Sequence, residues 1–112
     1  MIEPLKLFKL LADDTRLKIL LLLTQNSQLC VCHLTDALQL SQPKVSRHLA
    51  MLRQAQLVQD AQHGKWRYYQ LAPDLAEWVV TLLQQALLSQ PNYLSKCNQR
   101  LTNSLTTCET PS

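Results

Sequence analysis

The chain has 112 residues, a formal net charge of +3 and 46% apolar residues, which suits one compact domain with a core that needs no staples. A single glycine argues against a turn-rich β fold. The apolar run Ile19–Leu23 is far too short to span a bilayer, which takes roughly 20 residues.

Met-Ile-Glu-Pro opens the chain with an acid and a proline rather than a basic, apolar leader, so the expected compartment is the cytoplasm. The charge is unevenly spread. Between Ser41 and Gln70, five cations (Lys44, Arg47, Arg53, Lys65, Arg67) face one acid, Asp60, so that segment carries +4 and the remainder −1. A basic segment on a near-neutral body points to a polyanion touching one face.

Leu5, Phe8, Leu11 and Ala12 recur at helical spacing and predict a short helix over 4–12. Asp13-Asp14-Thr15 supplies N-cap candidates and first-turn acids for a second helix over about 14–25. Leu17 and Ile19–Leu23 leave that helix apolar nearly all round, which places it at the centre of the core. Asn26-Ser27-Gln28 ends it.

A third helix is expected from about Cys32 to Gln39, with Leu34, Ala37 and Leu38 inward. A fourth starts at Ser41, a good N-cap, with Pro43 in its first turn, where a missing N–H costs little. Val45, Leu49 and Leu52 share its buried face. Pro43, Arg47, Ala50 and Gln54 point away, with Lys44 and Ser46 on the flanks.

The period then changes to two. Leu57–Gln62 and Lys65–Leu71 flank His63-Gly64 and read as a β-hairpin, with glycine supplying the positive φ at the tip. Tyr69 and Leu71 face in, and Lys65 and Arg67 stand near the tip. Pro73-Asp74 starts a last strong helix to about Leu88, apolar over a wider arc than one core face needs. That excess predicts a dimer formed by this helix and the first. The chain thus divides into a domain over 1–88 and a polar tail over 89–112, with a weak helix near Tyr93–Leu105 and mobility beyond.

Helix, turn, helix and basic hairpin in this order predict a mainly α fold with a small β-hairpin, the winged helix-turn-helix. The major groove admits one α-helix, which must present short polar and cationic side chains away from its core face. Gln42, Ser46 and Arg47 can reach base edges and Lys44 a phosphate, while Lys65 and Arg67 can hold flanking backbone. His48 reads as a locally packed side chain, and Trp66, Tyr68 and Tyr69 as hairpin packing. Ser46 and His48 diverge at i, i+2 and cannot pair as nucleophile and base, so no enzyme is expected.

The cysteines are Cys30, Cys32, Cys97 and Cys108. Closely spaced thiols in a cytosolic chain point to metal or redox chemistry rather than a disulfide framework. Thiolates select soft ions, and free N–H groups at a helix start favour the Cys32 anion. On a regular helix, residues i and i+2 lie about 200° apart. Cys30 and Cys32 can therefore share an ion only if Cys30 precedes the helix or the first turn unwinds. Ligation would then pull on the helix that supports the recognition helix. A structural zinc site wants four ligands, and no second pair at the usual spacing exists.

Four segments carry a family resemblance: Leu-Ala-Asp-Asp-Thr-Arg-Leu-Lys-Ile-Leu (11–20), Leu-Cys-Val-Cys-His-Leu (29–34), Ser-Gln-Pro-Lys-Val-Ser-Arg-His-Leu (41–49) and Gly-Lys-Trp-Arg-Tyr-Tyr-Gln-Leu (64–71). Over about Leu5 to Leu88 the sequence resembles the ArsR/SmtB family of metal-responsive repressors, most closely its arsenic-responsive branch. The resemblance implies a homodimer that binds a palindromic operator in double-stranded DNA and leaves it when As(III) or Sb(III) bonds Cys30 and Cys32. Two departures matter. Thr35 stands where that branch usually has a third cysteine, and His33 where it usually has an acid. The third ligand could be Cys97, Cys108, His33 or an external thiol, and a two-thiol site would also suit a monomethylated trivalent arsenical.

The leading expectation is a repressor of an arsenic-resistance operon with As(III) or Sb(III) as inducer and no catalytic cofactor. A thiol-redox-sensing winged-helix repressor is the alternative within DNA binding. A small C-x-C thiol oxidoreductase is the alternative of another class, although nothing in the sequence suggests a redox-type fold.

Overall fold

Five consecutive residues, Ile19–Leu23, are buried, and the other elements pack around them. The computed structural model describes the backbone of residues 2–108 and the side chains of residues 2–104. Helix α1 (Pro4–Leu11) leads into α2 (Asp14–Gln25), which carries this apolar run. The Asp13 carboxylate caps α2 by accepting the Arg16 N–H at 3.0 Å, and Asn26 ends it.

Strand β1 (Leu29–Cys30) runs directly into α3 (Val31–Leu38), and a tight turn leads to α4 (Gln42–Gln54). Gln39 makes that turn in the left-handed region, φ 56°, and the Leu40 N–H donates to the Thr35 carbonyl at 3.3 Å. Ser41 then caps α4, its hydroxyl accepting the Lys44 N–H at 3.4 Å. Val45, Leu49 and Leu52 are fully buried, so truncating either leucine to alanine costs about 2–5 kcal/mol. The angle between α3 and α4 is thus held by a cap, a left-handed residue and three core side chains.

The hairpin forms from β2 (Val58–His63) and β3 (Trp66–Leu71), with Gly64 at φ 63° in its turn. Tyr69 and Leu71 pack against the core as expected. The expected hairpin is part of a three-stranded antiparallel sheet in the order β1-β3-β2, in which Leu29 pairs with Tyr69 and Cys30 with Tyr68. Helix α5 (Glu77–Ser89) begins later than the Pro73-Asp74 start read from sequence, because Ala76, with a non-helical backbone (φ −58°, ψ 141°), is its N-cap.

Helix α6 (Ser95–Cys108) lies along α3. Leu94, Cys97, Leu101 and Ser104 are buried at i, i+3, i+7 and i+10, one helical face. The Arg100 guanidinium donates to the Ala37 carbonyl at 3.2 Å and the Ser104 hydroxyl to Asp36 at 2.8 Å. A second clasp holds the loop before α6 to α2. The Tyr93 hydroxyl donates to Asp14 at 2.5 Å, and the Lys18 ammonium lies 2.9 Å from Asp14 and 5.3 Å from the Tyr93 ring centre.

The Tyr93 hydroxyl, and then Lys18, hold the Asp14 carboxyl below the usual carboxylate range. A group whose folded value is depressed stabilises fully above its unfolded value and loses that contribution as pH falls through the folded one. Tyr93→Phe is therefore expected to cost up to about 1 kcal/mol at pH 7, a small effect because Asp14 is largely exposed. In urea unfolding, the gap from wild type should narrow below about pH 4. An equal gap at pH 7 and pH 3 would show that the clasp is not the source.

Candidate metal centre and nucleic-acid interface

Cys30 holds two positions at once. Its backbone is extended (φ −82°, ψ 165°), which completes the pairing with Tyr68 and makes it the N-cap of α3. The Cys30 N–H donates to His33 Nδ1 at 3.1 Å, and the Cys30 sulfur faces the His33 amide in return. This is a capping box with sulfur and imidazole in place of the usual hydroxyl and carboxylate. Sulfur is a weak acceptor, so the imidazole half carries most of the bonding.

Cys32 sits in the first turn of α3, half-buried, and the Thr35 hydroxyl donates to its carbonyl at 2.9 Å. Because Cys30 lies before the helix, the two sulfurs escape the opposition of regular i, i+2 geometry. Ligand atoms of Cys30, Cys32 and His33 all lie within 4.8 Å of one another. Of the three, His33 is 1% exposed, with Nδ1 already accepting the Cys30 N–H. The structure thus uses this side chain as a cap, a role that sequence reading missed. The clue was the three-residue spacing of Cys30 and His33, which copies the capping-box spacing.

Cys97 lies on α6, buried beside Tyr93, Lys18, Arg100 and Asp14, and is not part of this group. Burial, above all, raises its thiol above the ordinary range. The side chain of Cys108 lies outside the described residues.

On α4, Gln42, Lys44 and Arg47 are exposed and Ser46 is half-buried. Arg47 points away from Val45 and Leu49, with Lys44 and Ser46 on the flanks and Gln42 at the helix start. Lys65 and Arg67 project from the hairpin. Arg67 is also tied to Asp60, and Arg53 stands 3.5 Å from the same carboxylate. Asp60 and Arg67 are diagonal cross-strand neighbours, since Arg67 faces Gln62 and Asp60 faces Tyr69. The strand register would have exposed this pairing in the sequence. His48 Nδ1 lies 4.0 Å from Asp13, a local link between α4 and the cap of α2.

A cleft of about 420 Å³ joins the two halves of the site. Cys30 at the cap of α3 lines it together with Cys32 and Thr35 of α3, and Gln42, Ser46, Lys65 and Arg67 line it from α4 and the hairpin. On another face, Phe8 and the α5 residues Trp78 and Leu82 line an open hollow of about 850 Å³. Phe8 and Trp78 are exposed there, as is the neighbouring α1 residue Leu5.

Residues 13–60 match the family described as bacterial regulatory protein, arsR family. The chain is 46% identical over 100 residues to the arsenic resistance transcriptional regulator ArsR1 of Pseudomonas putida, spanning 89% of this chain and 78% of that protein. It is 51% identical over 83 residues to the arsenical resistance operon repressor of Escherichia coli, spanning 74% and 71%. The fold is similar to the crystal structure of AntR, described as an antimony-specific transcriptional repressor. That likeness has a TM-score of 0.64 at 31% identity, covering 75% of this chain and 73% of that one.

Replacing His33 tests the cap directly. His33→Ala leaves the buried Cys30 N–H without its acceptor and is expected to destabilise the fold by about 1–3 kcal/mol in urea unfolding. A change under about 0.3 kcal/mol would show that this bond does not hold the first turn of α3.

Proposed function

The chain belongs to the arsR family of bacterial regulatory proteins, and from that membership we propose that it represses arsenic-resistance genes and leaves its operator when trivalent arsenic or antimony bonds Cys30 and Cys32. The observation that carries this reading is the thiol pair. Cys30 caps the helix in front of the recognition helix, and its ligand atom lies within 4.8 Å of those of Cys32 and His33. The names of the relatives support the metalloid, and the soft thiolate donors suit it.

Each thiol replaces one hydroxide of arsenite, its proton leaving with that hydroxide as water, and the oxidation state of arsenic does not change. Thr35 supplies no third thiolate. The remaining position falls to Cys97, Cys108, His33 or a ligand from solution. Bonding also takes the Cys30 sulfur away from the His33 amide, which loosens the first turn of α3.

In this reading α4 enters the major groove with Gln42, Ser46 and Arg47 toward bases and Lys44 toward a phosphate, while Lys65 and Arg67 hold flanking backbone. A palindromic operator needs two such helices about 34 Å apart, hence a homodimer. The apolar hollow between α1 and α5 is the surface that suits it. Residues 1–88 then carry DNA binding and dimerisation, and 89–112 form a C-terminal segment. Among the described residues, no helix is long and apolar enough to cross a membrane.

Arsenite is expected to weaken operator binding by wild type roughly 5–150-fold, read by fluorescence anisotropy. Cys30→Ser and Cys32→Ser should bind operator normally but respond less than about twofold on the same scale. Loss of response in Cys97→Ser or Cys108→Ser would name the third ligand. Unchanged wild-type affinity at saturating arsenite would sink the proposal. Separately, Phe8→Glu together with Trp78→Glu is expected to give a folded monomer in sedimentation, with operator affinity at least tenfold weaker, since each half-site contact then acts alone. A dimer that survives both changes would place the interface elsewhere.

A further inference from the structure

The cleft between α3, α4 and the hairpin has two sets of walls with two different roles. Cys30, Cys32 and Thr35 are on one side. Ser46 of the recognition helix and Lys65 of the hairpin are on the other. An α-helix is about 10–12 Å across with its side chains and the major groove about 12 Å wide, so a docked recognition helix has DNA backbone close against its flanks. Ser46 is on such a flank, and Lys65 stands exposed at the rim beside it.

We propose that this cleft is itself part of the DNA interface, so that DNA backbone and the group bonded to Cys32 compete for the same space. The proposal rests on reading α4 and the hairpin as the DNA-contacting surface. Cys32 and Thr35 then belong to the wall that the operator backbone approaches. An ion held by the thiols would carry at least one further ligand, which would take up space in the cleft that Ser46 and Lys65 also line. Release then occurs by exclusion.

This differs in a measurable way from release through the loosened turn of α3. Loosening requires the Cys30 sulfur to be bonded. Exclusion requires only one occupied thiol, and its strength depends on the size of the occupant.

The test uses the full chain with Cys32 as its only thiol, made by Cys30→Ser, Cys97→Ser and Cys108→Ser. Cys32 is converted to a methylthio or a benzylthio mixed disulfide after folding. Operator affinity is read by anisotropy, with circular dichroism confirming the fold. The benzylthio adduct is expected to weaken operator binding at least tenfold and the methylthio adduct less than threefold, on the scale of ordinary site coupling. Dithiothreitol should restore both. The same adducts on Thr102→Cys in a cysteine-free chain, exposed on α6, should change nothing. Equal affinity for both adducts, whether retained or lost, would overturn the proposal.

In wild type, saturating operator should also slow iodoacetamide modification of Cys32 at least tenfold, and an unchanged rate would equally overturn it. If arsenite fails to release wild type while the adducts behave as expected, the inducer assignment fails and the shared cleft stands.

Discussion

The bond from the Cys30 amide to His33 Nδ1 is the constraint on which the sensing end of the molecule depends. It fixes where β1 stops and α3 starts. Because the helix starts at Val31, Cys30 keeps an extended backbone and can turn its sulfur toward that of Cys32. One residue more of helix would set the two thiols on opposite faces. The same residue is anchored on its other side by the pairing with Tyr68, so the cap joins the sheet to the helix-turn-helix.

From that cap the chain is stiff as far as the reading head. Leu34 and Ala37 are fully buried, α6 braces α3, and Val45, Leu49 and Leu52 seat α4 on the core. Interiors packed this closely transmit displacement rather than absorb it. A change in the first turn of α3 therefore reaches Gln42 and Ser46 within one short helix and one turn. The cleft adds a second, shorter route, since the thiols and the hairpin cations already line one space. In the proposed reading both routes act in the same direction, with ligation opposing DNA.

Most of this was legible in the sequence where local signals are strong. The caps at Asp13 and Ser41, the all-round apolar α2, the buried stripe of α4 and the glycine of the hairpin are local chemistry, and they mark those elements. The unread features depend on distant partners. A two-residue strand has no period to detect, and β1 exists only because β3 lies beside it. The buried face of α6 includes Ser104 and Cys97, so its stripe hides in a polar composition. The capping role of His33 went unread because histidine is an unusual capping partner, although its ring also lies within the thiol group. Asp60 looked like a lone acid until the hairpin register set it diagonal to Arg67.

The central claim is that the thiol pair and the DNA-reading surface are one linked site, and linkage is reciprocal. The direct measurement is the affinity of the protein for arsenite, by calorimetric titration, with and without saturating operator DNA. The account predicts that operator weakens arsenite binding roughly 5–150-fold, by the same factor with which arsenite weakens operator binding. Equal arsenite affinity in the free and DNA-bound protein would contradict it.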